Sequence, residues 1–367
     1  MIKNRQYVAV TGIGIIAPTV TSFHQLTKES LSSLKREKMV QDVPVPEGQN
    51  SRELRRLSKL ARMAVFASDQ AIKMSMSPTS EMGIGVALSH GSTSYLAEFH
   101  DLMFSFGPDS TSPSAFSNGV TNAPLSIIST INKLTGGGIT FTGFESAGID
   151  ILSFGAEAVL NGEYESFLAG AAEEYSPIIE QIYHRKNWFN GESPQFLPKD
   201  SEDTNGYAIS EGSAFLIFEK LTDNSIERAL ALYSPVNSEI EEVNCDLIIS
   251  GAGGGPQDSF ELEFLGKYLQ KNKTGVAFTN VIFGNCFALS GAYSAVLACA
   301  CLHNRCNILP KVNKHPKLDA IINDSVKVSS VMVTGAGRDG QSAAGLFCTP
   351  DFSEVPLRGG ASKYPKG

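Results

Sequence analysis

The stretch Gly136 to Gly162, GGGITFTGFESAGIDILSFGAEAVLNG, decides the fold. Ile139, Thr140, Phe141 and Thr142 form a β-branched and aromatic run that reads as a buried strand, and Gly143 and Gly148 relieve crowding on either side of a tight turn. A helix follows at once. Ile149, Leu152, Ala156 and Leu160 recur at helical spacing, and Asn161-Gly162 closes the helix with a left-handed cap. Strand, turn and helix in this order put the turn residue at a helix N-terminus, where the dipole stabilises negative charge and a catalytic nucleophile would sit. The residue at the turn is Glu145. Taken alone, the window fits any α/β crossover.

The flanking chain narrows that choice. Tyr7 to Pro18 reads as an opening strand with a Gly-punctuated turn; Gly12 and Gly14 lack the third glycine and the following acid of a dinucleotide loop. Residues 21 to 55 are polar and turn-rich, Leu57 to Met74 is an amphipathic helix, and Met82 to Leu88 is a strand with the polar exit Ser89 to Ser94. Residues 106 to 124 read as a loop and Leu125 to Leu134 as a helix. Beyond the central helix, Ser166 to Glu173 is a buried strand, Tyr175 to Asp203 a mixed region with Trp188, and Asn205 to Glu219 a turn and strand.

From Asp223 the pattern restarts. Strands at Ala229 to Val236 and Asp246 to Ser250, a Gly-rich turn at Gly251 to Gly255, a helix at Asp258 to Leu269, a strand-turn-helix at Val276 to Leu302 and a last strand at Val328 to Thr334 follow in turn. Alternating strands and helices predict a mainly parallel, helix-covered sheet. The division is 1–222 and 223–350 as two tandem halves, with 351–367 as a surface tail.

Composition bounds the function. The chain has 367 residues, enough for a sizeable core, with a formal charge of −8 and no basic cluster interleaved with aromatics, which argues against a nucleic-acid surface. No run approaches the ~20 apolar residues of a membrane span. The hydrophobic run near the N-terminus starts at once as a strand rather than as a secretory signal, so the expectation is a cytoplasmic protein. Cys245, Cys286, Cys299, Cys301, Cys306 and Cys348 lack paired metal-ligand spacing and read as reduced, mostly buried thiols; no metal is expected.

Several segments, in order, resemble the β-ketoacyl-ACP synthase family of the thiolase-like fold, over roughly residues 6 to 349. VAVTGIGIIAP is similar to the family's opening strand. FTGFESAG stands where the family has T-A-C-x-S-G, and NGYAISEGSAFLIFEKL is similar to its D-G-F-V-x-G-E-G strand. SGAGGGPQDSFE, FTNVIFGNCFALSGA and GAGRDGQSAAGLF match the placement of H-G-T-G-T, K-S-x-x-G-H-x-x-G-A-x-G and G-F-G-G-x-N. The resemblance implies an α/β chain of two pseudo-repeated βαβ-type halves, layered α-β-α-β-α.

It also implies that ketosynthase chemistry is gone. A condensing enzyme needs a thiolate to carry the acyl chain and two imidazoles to stabilise the charge of the decarboxylating malonyl thioester. At the matching positions stand Glu145 for the cysteine, Ser250 and Asn285 for the histidines and Asn280 for the lysine; Arg338, with Asp339 beside it, takes the aromatic gate. His90 at a strand exit and Cys286 beside Asn285 read as structural or surface residues. Glu145 reads as a helix-N-terminal carboxylate or as an acceptor organising a vestigial pocket.

A family member without the cysteine resembles the chain-length factor, the non-catalytic β-subunit of type II polyketide synthases, although those relatives usually carry Gln where this chain has Glu145. The resemblance implies a Cys-bearing ketosynthase as heterodimer partner and an acyl carrier protein docking mainly on that partner. It implies no cofactor of the chain's own, the acyl chain arriving on the carrier's phosphopantetheine. Expected tunnel or interface residues are Ser114, Phe116, Asn118, Gly119, Val120, Thr121, Ile139, Phe141, Phe144 and Glu145, with Phe116 as the stopper. The alternatives are a malonyl-ACP decarboxylase supplying acetyl primer and a homodimeric acyl-binding scaffold.

Overall fold

The computed structural model describes residues 5–32, 37–186, 209–236, 240–252, 258–272, 274–309, 327–337 and 341–351. Trp188, Arg338, Asp339 and the tail from residue 352 lie outside them.

The first half contains β1 (Val8–Ile16), the short α1 (Lys28–Ser32) and α2 (Ser51–Leu54), α3 (Lys59–Ser75), β2 (Gly83–Leu88), α4 (Thr93–Phe106), α5 (Pro113–Gly119), α6 (Ala123–Asn132), β3 (Gly138–Thr142), α7 (Ala147–Leu160), β4 (Ser166–Glu173), α8 (Pro177–Arg185) and β5 (Gly212–Glu219). The second contains α9 (Asp223–Arg228), β6 (Ala231–Val236), β7 (Leu247–Ser250), α10 (Asp258–Lys271), β8 (Gly275–Phe278), α11 (Asn280–Phe283), α12 (Ala288–Asn304), β9 (Ser330–Ala336) and β10 (Ser342–Cys348).

The strands form one ten-stranded sheet in the order β3-β2-β4-β5-β1-β6-β10-β9-β7-β8. Read from either edge toward the β1/β6 junction, the order is third, second, fourth, fifth and first strand of each half, so the topology repeats. β1 joins the halves by pairing antiparallel with both β5 and β6. The sheet is mixed rather than mainly parallel. β2 pairs parallel with β3 and β4, and β7 with β8 and β9, but β4–β5, β6–β10 and β9–β10 are antiparallel. The expected last strand is therefore followed by β10, whose small residues Ser342 to Gly345 hide its periodicity.

Layering follows from where each helix is apolar. α3 and α6 cover the outer face of the first half-sheet and α10 that of the second, while α7 and α12 lie between the two. Every residue from Ala288 to Leu302 of α12 is buried, as expected of a helix walled in on all sides. Gly12 and Gly14, which resemble a nucleotide loop by sequence, are strand residues. A Cβ on either would strike the carbonyl oxygens of Ala71 or Ala67 in α3, so they serve close helix-on-strand packing.

Two local expectations change. Residues 106 to 124 are not a plain loop: Ser112 caps α5 by accepting from Ala115 N at 3.3 Å, and Pro113 occupies its first turn. β3 is the outermost strand of its half, with Ile139 and Phe141 half-buried and Thr142 exposed, rather than a fully buried strand. No helix among the described residues is long and apolar enough to cross a membrane.

Candidate functional site

The turn between β3 and α7 holds Glu145 in the interior, 2% exposed, where its Oε1 accepts from Asn285 Nδ2 at 3.4 Å. The Asn285 Oδ1 in turn accepts from Phe287 N at 2.8 Å, which fixes the amide against the start of α12. The two residues meet because α7 and α12 cross at glycines. A Cβ on Gly148 would strike the Ala288 carbonyl oxygen, and one on Gly291 would strike Ile149.

A second polar group lies at the C-terminal end of β7. Ser250 Oγ donates to Glu261 Oε1 at 2.5 Å, and the same oxygen accepts from Thr334 Oγ1 at 2.7 Å and Gly251 N at 3.1 Å. Burial pushes the Glu261 carboxyl pKa up, against these hydrogen bonds. Asn280 Nδ2 donates to the Gly251 carbonyl at 2.6 Å and its Oδ1 accepts from Ser290 Oγ at 3.4 Å. Ser290 Oγ also accepts from Cys286 N at 3.0 Å, and Thr279 and Ser294 hydroxyls meet at 2.5 Å. The positions that the resemblance matches to imidazoles and an ammonium thus hold amides and a hydroxyl, bonded to the Glu145 and Glu261 carboxyls, the Gly251 carbonyl and Ser290. None of these neutral groups can exchange a proton near neutral pH.

Cys286 offers no substitute nucleophile. It is fully buried, its Sγ lies 3.6 Å from the Phe283 carbonyl oxygen, and burial pushes its thiol pKa up, so the reactive thiolate is not formed.

His90 stands closer to the site than its reading as a structural or surface residue implied. Its ring packs edge-on against Phe287 at 4.5 Å, Tyr183 at 5.7 Å and Phe144 at 6.5 Å, and Nε2 lies 3.1 Å from the Tyr183 hydroxyl. Its Nδ1 is 3.9 Å from Glu173 Oε2. Glu173, at the end of β4, accepts from the backbone N–H groups of Ser89 and His90. Burial pushes its carboxyl up to about 8, and the nearby Glu145 charge acts in the same direction. At neutral pH Glu173 therefore keeps its proton.

Phe287 adopts φ 50° and ψ −125°, a strained backbone for a residue with a side chain. Neither this strain nor the Glu173 and Glu261 acceptors could be read by spacing. The one sequence signal was an acidic residue closing a buried strand or opening a helix.

The tunnel candidates fall in three places. Ser114, Phe116 and Thr121 are exposed on or beside α5, whereas Asn118 and Gly119 are buried and Val120 half-buried. Ile139 and Phe141 lie on the open edge of β3, and Phe144 and Glu145 lie in the turn. Along that edge runs an open groove of 640 Å³ bounded by Thr140 to Gly143 on the strand side, by Ser146 of the turn and by Asp150, Phe154 and Glu157 of α7. The structure does not gather the candidates into one cavity within this chain. No group of three or more His, Cys, Asp or Glu side chains suited to a metal occurs among the described residues.

Residues 44–224 match the family described as beta-ketoacyl synthase, N-terminal domain. No curated protein matches the sequence. Among solved structures, the chain is similar to the ishigamide ketosynthase/chain length factor, with TM-score 0.76 and 15% identity over 94% of this chain and 100% of that one. It is similar also to the AntDE:AntF complex, a type II PKS acyl-carrier protein with its ketosynthase bound to the hexaketide, with TM-score 0.72 and 20% identity over 94% and 100%. A beta-ketoacyl synthase from Burkholderia phymatum STM815 aligns with TM-score 0.72 and 14% identity over 94% and 99%. The chain has the thiolase-like ketosynthase fold. Within that ketosynthase fold the β3–α7 turn carries Glu145.

Proposed function

We propose that this chain is a non-catalytic chain-length-factor subunit, which heterodimerises in the cytoplasm with a Cys-bearing ketosynthase and shapes the tunnel into which the polyketide grows. One observation carries the reading. At the nucleophile turn of a ketosynthase fold a buried Glu145 is hydrogen-bonded to Asn285, while Ser250 is committed to Glu261. The fold is kept, and where the resemblance would place a thiol and imidazoles stand a carboxylate, an amide and a hydroxyl tied into hydrogen bonds. The open edge of β3 and its groove give the chain a face on which a second subunit can add. Two similar structures, a ketosynthase/chain length factor and a ketosynthase with its acyl-carrier protein, support the same partners.

The geometry speaks against a malonyl-ACP decarboxylase. An enolate needs donors aimed at it, but the Ser250 hydroxyl goes to Glu261 and the Asn285 amide to Glu145. The carrier protein docks mainly on the partner, since this subunit is itself acidic at −8, and the chain needs no cofactor of its own. In the complex Phe116 limits the number of extensions.

Native mass spectrometry of the chain co-expressed with the Cys-bearing ketosynthase from its own gene neighbourhood tests the reading. A 1:1 heterodimer is expected. A stable homodimer that ignores the synthase would overturn it.

A further inference from the structure

Helix α12 ends in a loop that brings two cysteines together. Arg305, directly after Asn304, takes up φ 53°, the left-handed conformation. Across it Cys306 N donates to the Cys301 carbonyl at 3.1 Å and Arg305 N to the Leu302 carbonyl at 3.2 Å, the nested pair of bonds of a Schellman cap. In that motif the side chains of the first and last residues of the loop commonly meet across the helix end. Here both are cysteines. A backbone hydrogen bond between two residues sets their Cα atoms roughly 5–6 Å apart, inside the window of about 4.4–6.8 Å that a disulfide spans. Cys306 packs on the apolar cluster that contains Cys301, and a charge on Cys306 acts on the Cys301 thiol. The two thiols differ in access, for Cys301 is fully buried and Cys306 half-buried.

We propose that Cys301 and Cys306 form a modification site, oxidised by a hydroperoxide to an intramolecular disulfide that staples the C-terminal end of α12. The Cys306 thiolate attacks the peroxide, the O–O bond breaks, and Cys306 becomes a sulfenic acid as hydroxide leaves. The Cys301 sulfur then attacks the Cys306 sulfur, the S–O bond breaks, and the departing hydroxide takes the Cys301 proton. The two thiols have lost two electrons and two protons, and hydrogen peroxide has become water. Burial pushes the Cys301 thiol up to about 12, so the half-buried Cys306 meets the oxidant and Cys301 resolves it. Cys245, Cys286, Cys299 and Cys348 are buried and do not compete for the oxidant. The staple closes on a cap that already ties three segments. The Arg305 carbonyl accepts from Val328 N at 3.2 Å, ahead of β9, and Arg305 Nη2 meets both carboxylate oxygens of Asp351, just past β10, at 3.0 and 3.1 Å. Oxidation therefore restrains the junction of α12, β9 and β10 and makes stability depend on redox state.

Stoichiometric hydrogen peroxide added to the full chain, followed by alkylation in denaturant, intact-mass measurement and tryptic mapping, tests it. Oxidation should lower the mass by two hydrogen atoms. Trypsin cuts between Arg305 and Cys306, so the disulfide should appear as a cross-link between a peptide ending at Arg305 and one beginning at Cys306, with fragmentation placing the bond on Cys301 and not on Cys286 or Cys299. The oxidised chain should melt about 3 °C higher than the reduced one, and dithiothreitol should reverse the shift. Cys306→Ser should abolish both the cross-link and the shift, and Cys301→Ala should leave Cys306 as a sulfenic acid that dimedone traps. If Cys301→Ala fails to fold, Cys306→Ser, changed at a half-buried position, decides the matter alone. Oxidised Cys306 with Cys301 still open to alkylation overturns the proposal, as does a cross-link from Cys306 to any other cysteine of this chain or of a second copy. A redox-dependent melting shift that persists in Cys306→Ser overturns the staple.

Discussion

The interior around Glu145 and the outer face of the α4–α5 hairpin reverse the usual placement of polar and apolar groups. Glu145, Asn285 and Ser250 are 2%, 1% and 0% exposed, while Phe104 and Phe106 are 80% and 76% exposed. Folded proteins rarely bury carboxylates or leave several phenylalanines bare without cause. The interior tolerates its polar groups because amides, hydroxyls and backbone N–H groups pair with them. The outer face has no such internal solution, since water cannot satisfy aromatic rings. The contrast teaches that the turn carrying Glu145 is held by hydrogen bonds inside the chain, while bare aromatic rings are left on its surface.

The sharpest way to break the interior half of that comparison is to part α7 from α12. Gly148→Val would drive a side chain into the Ala288 carbonyl, and should destabilise the chain by about 3 kcal/mol or more in a denaturant melt. A loss under about 1 kcal/mol would show that the crossing is loosely packed and that Glu145 is not held by it.

A second effect on the interior comes from pH. The Glu173 carboxyl is raised from 4.5 to about 8 in the folded chain. Between those values the unfolded state is ionised while the folded state keeps the proton, so the folded state binds more protons and stability falls as pH rises. The slope should approach ~1.4 kcal/mol per pH unit within the window and level off above it. Comparing urea midpoints of wild type and Glu173→Gln from pH 5 to 9 checks this. A wild-type slope that survives the substitution would assign the dependence to another group.

On the outer face, Phe116→Ala removes a ring that is 55% exposed in the free chain. It should shift stability by no more than about 0.5 kcal/mol, yet lengthen or broaden the product distribution of the co-expressed synthase. An unchanged product profile would remove Phe116 from the tunnel wall. The smallest expected change is from Glu145→Cys. Condensation of malonyl-ACP by the isolated chain should stay undetectable, because Ser250 and Asn285 supply no imidazole. Measurable turnover would show that the network can still support the reaction.

Much of the fold was legible because its strands are buried on both faces and its helices carry strong periodicity. β1, β2 and β4, and α3 and α7, stand within a few residues of their expected places. What escaped had weak or misleading patterns. α5 begins in a Pro-, Ser- and Asn-rich stretch that looks like loop, α4 is apolar on more than its half-buried face, which blurs its period, and β10 opens with small residues. The mixed direction of the sheet escaped because periodicity reports burial and not strand polarity. At the site, ordered motifs located Glu145, Ser250, Asn280 and Asn285. Their partners Glu173, Glu261 and Thr334, and the rings around His90, depend on contacts between segments far apart in the chain.

The sequence by itself determined that this chain builds a ketosynthase-like α/β fold and that the turn between β3 and α7 carries a carboxylate, since residue type, order and spacing are local properties. Only the tertiary structure decided that Asn285 meets Glu145, that Ser250 is spent on Glu261, that β3 is an open edge and that the α4 phenylalanines face outward. Those outcomes are set by which surfaces pack against which, and side-chain burial and hydrogen bonding between distant segments exist only once the chain has closed on itself.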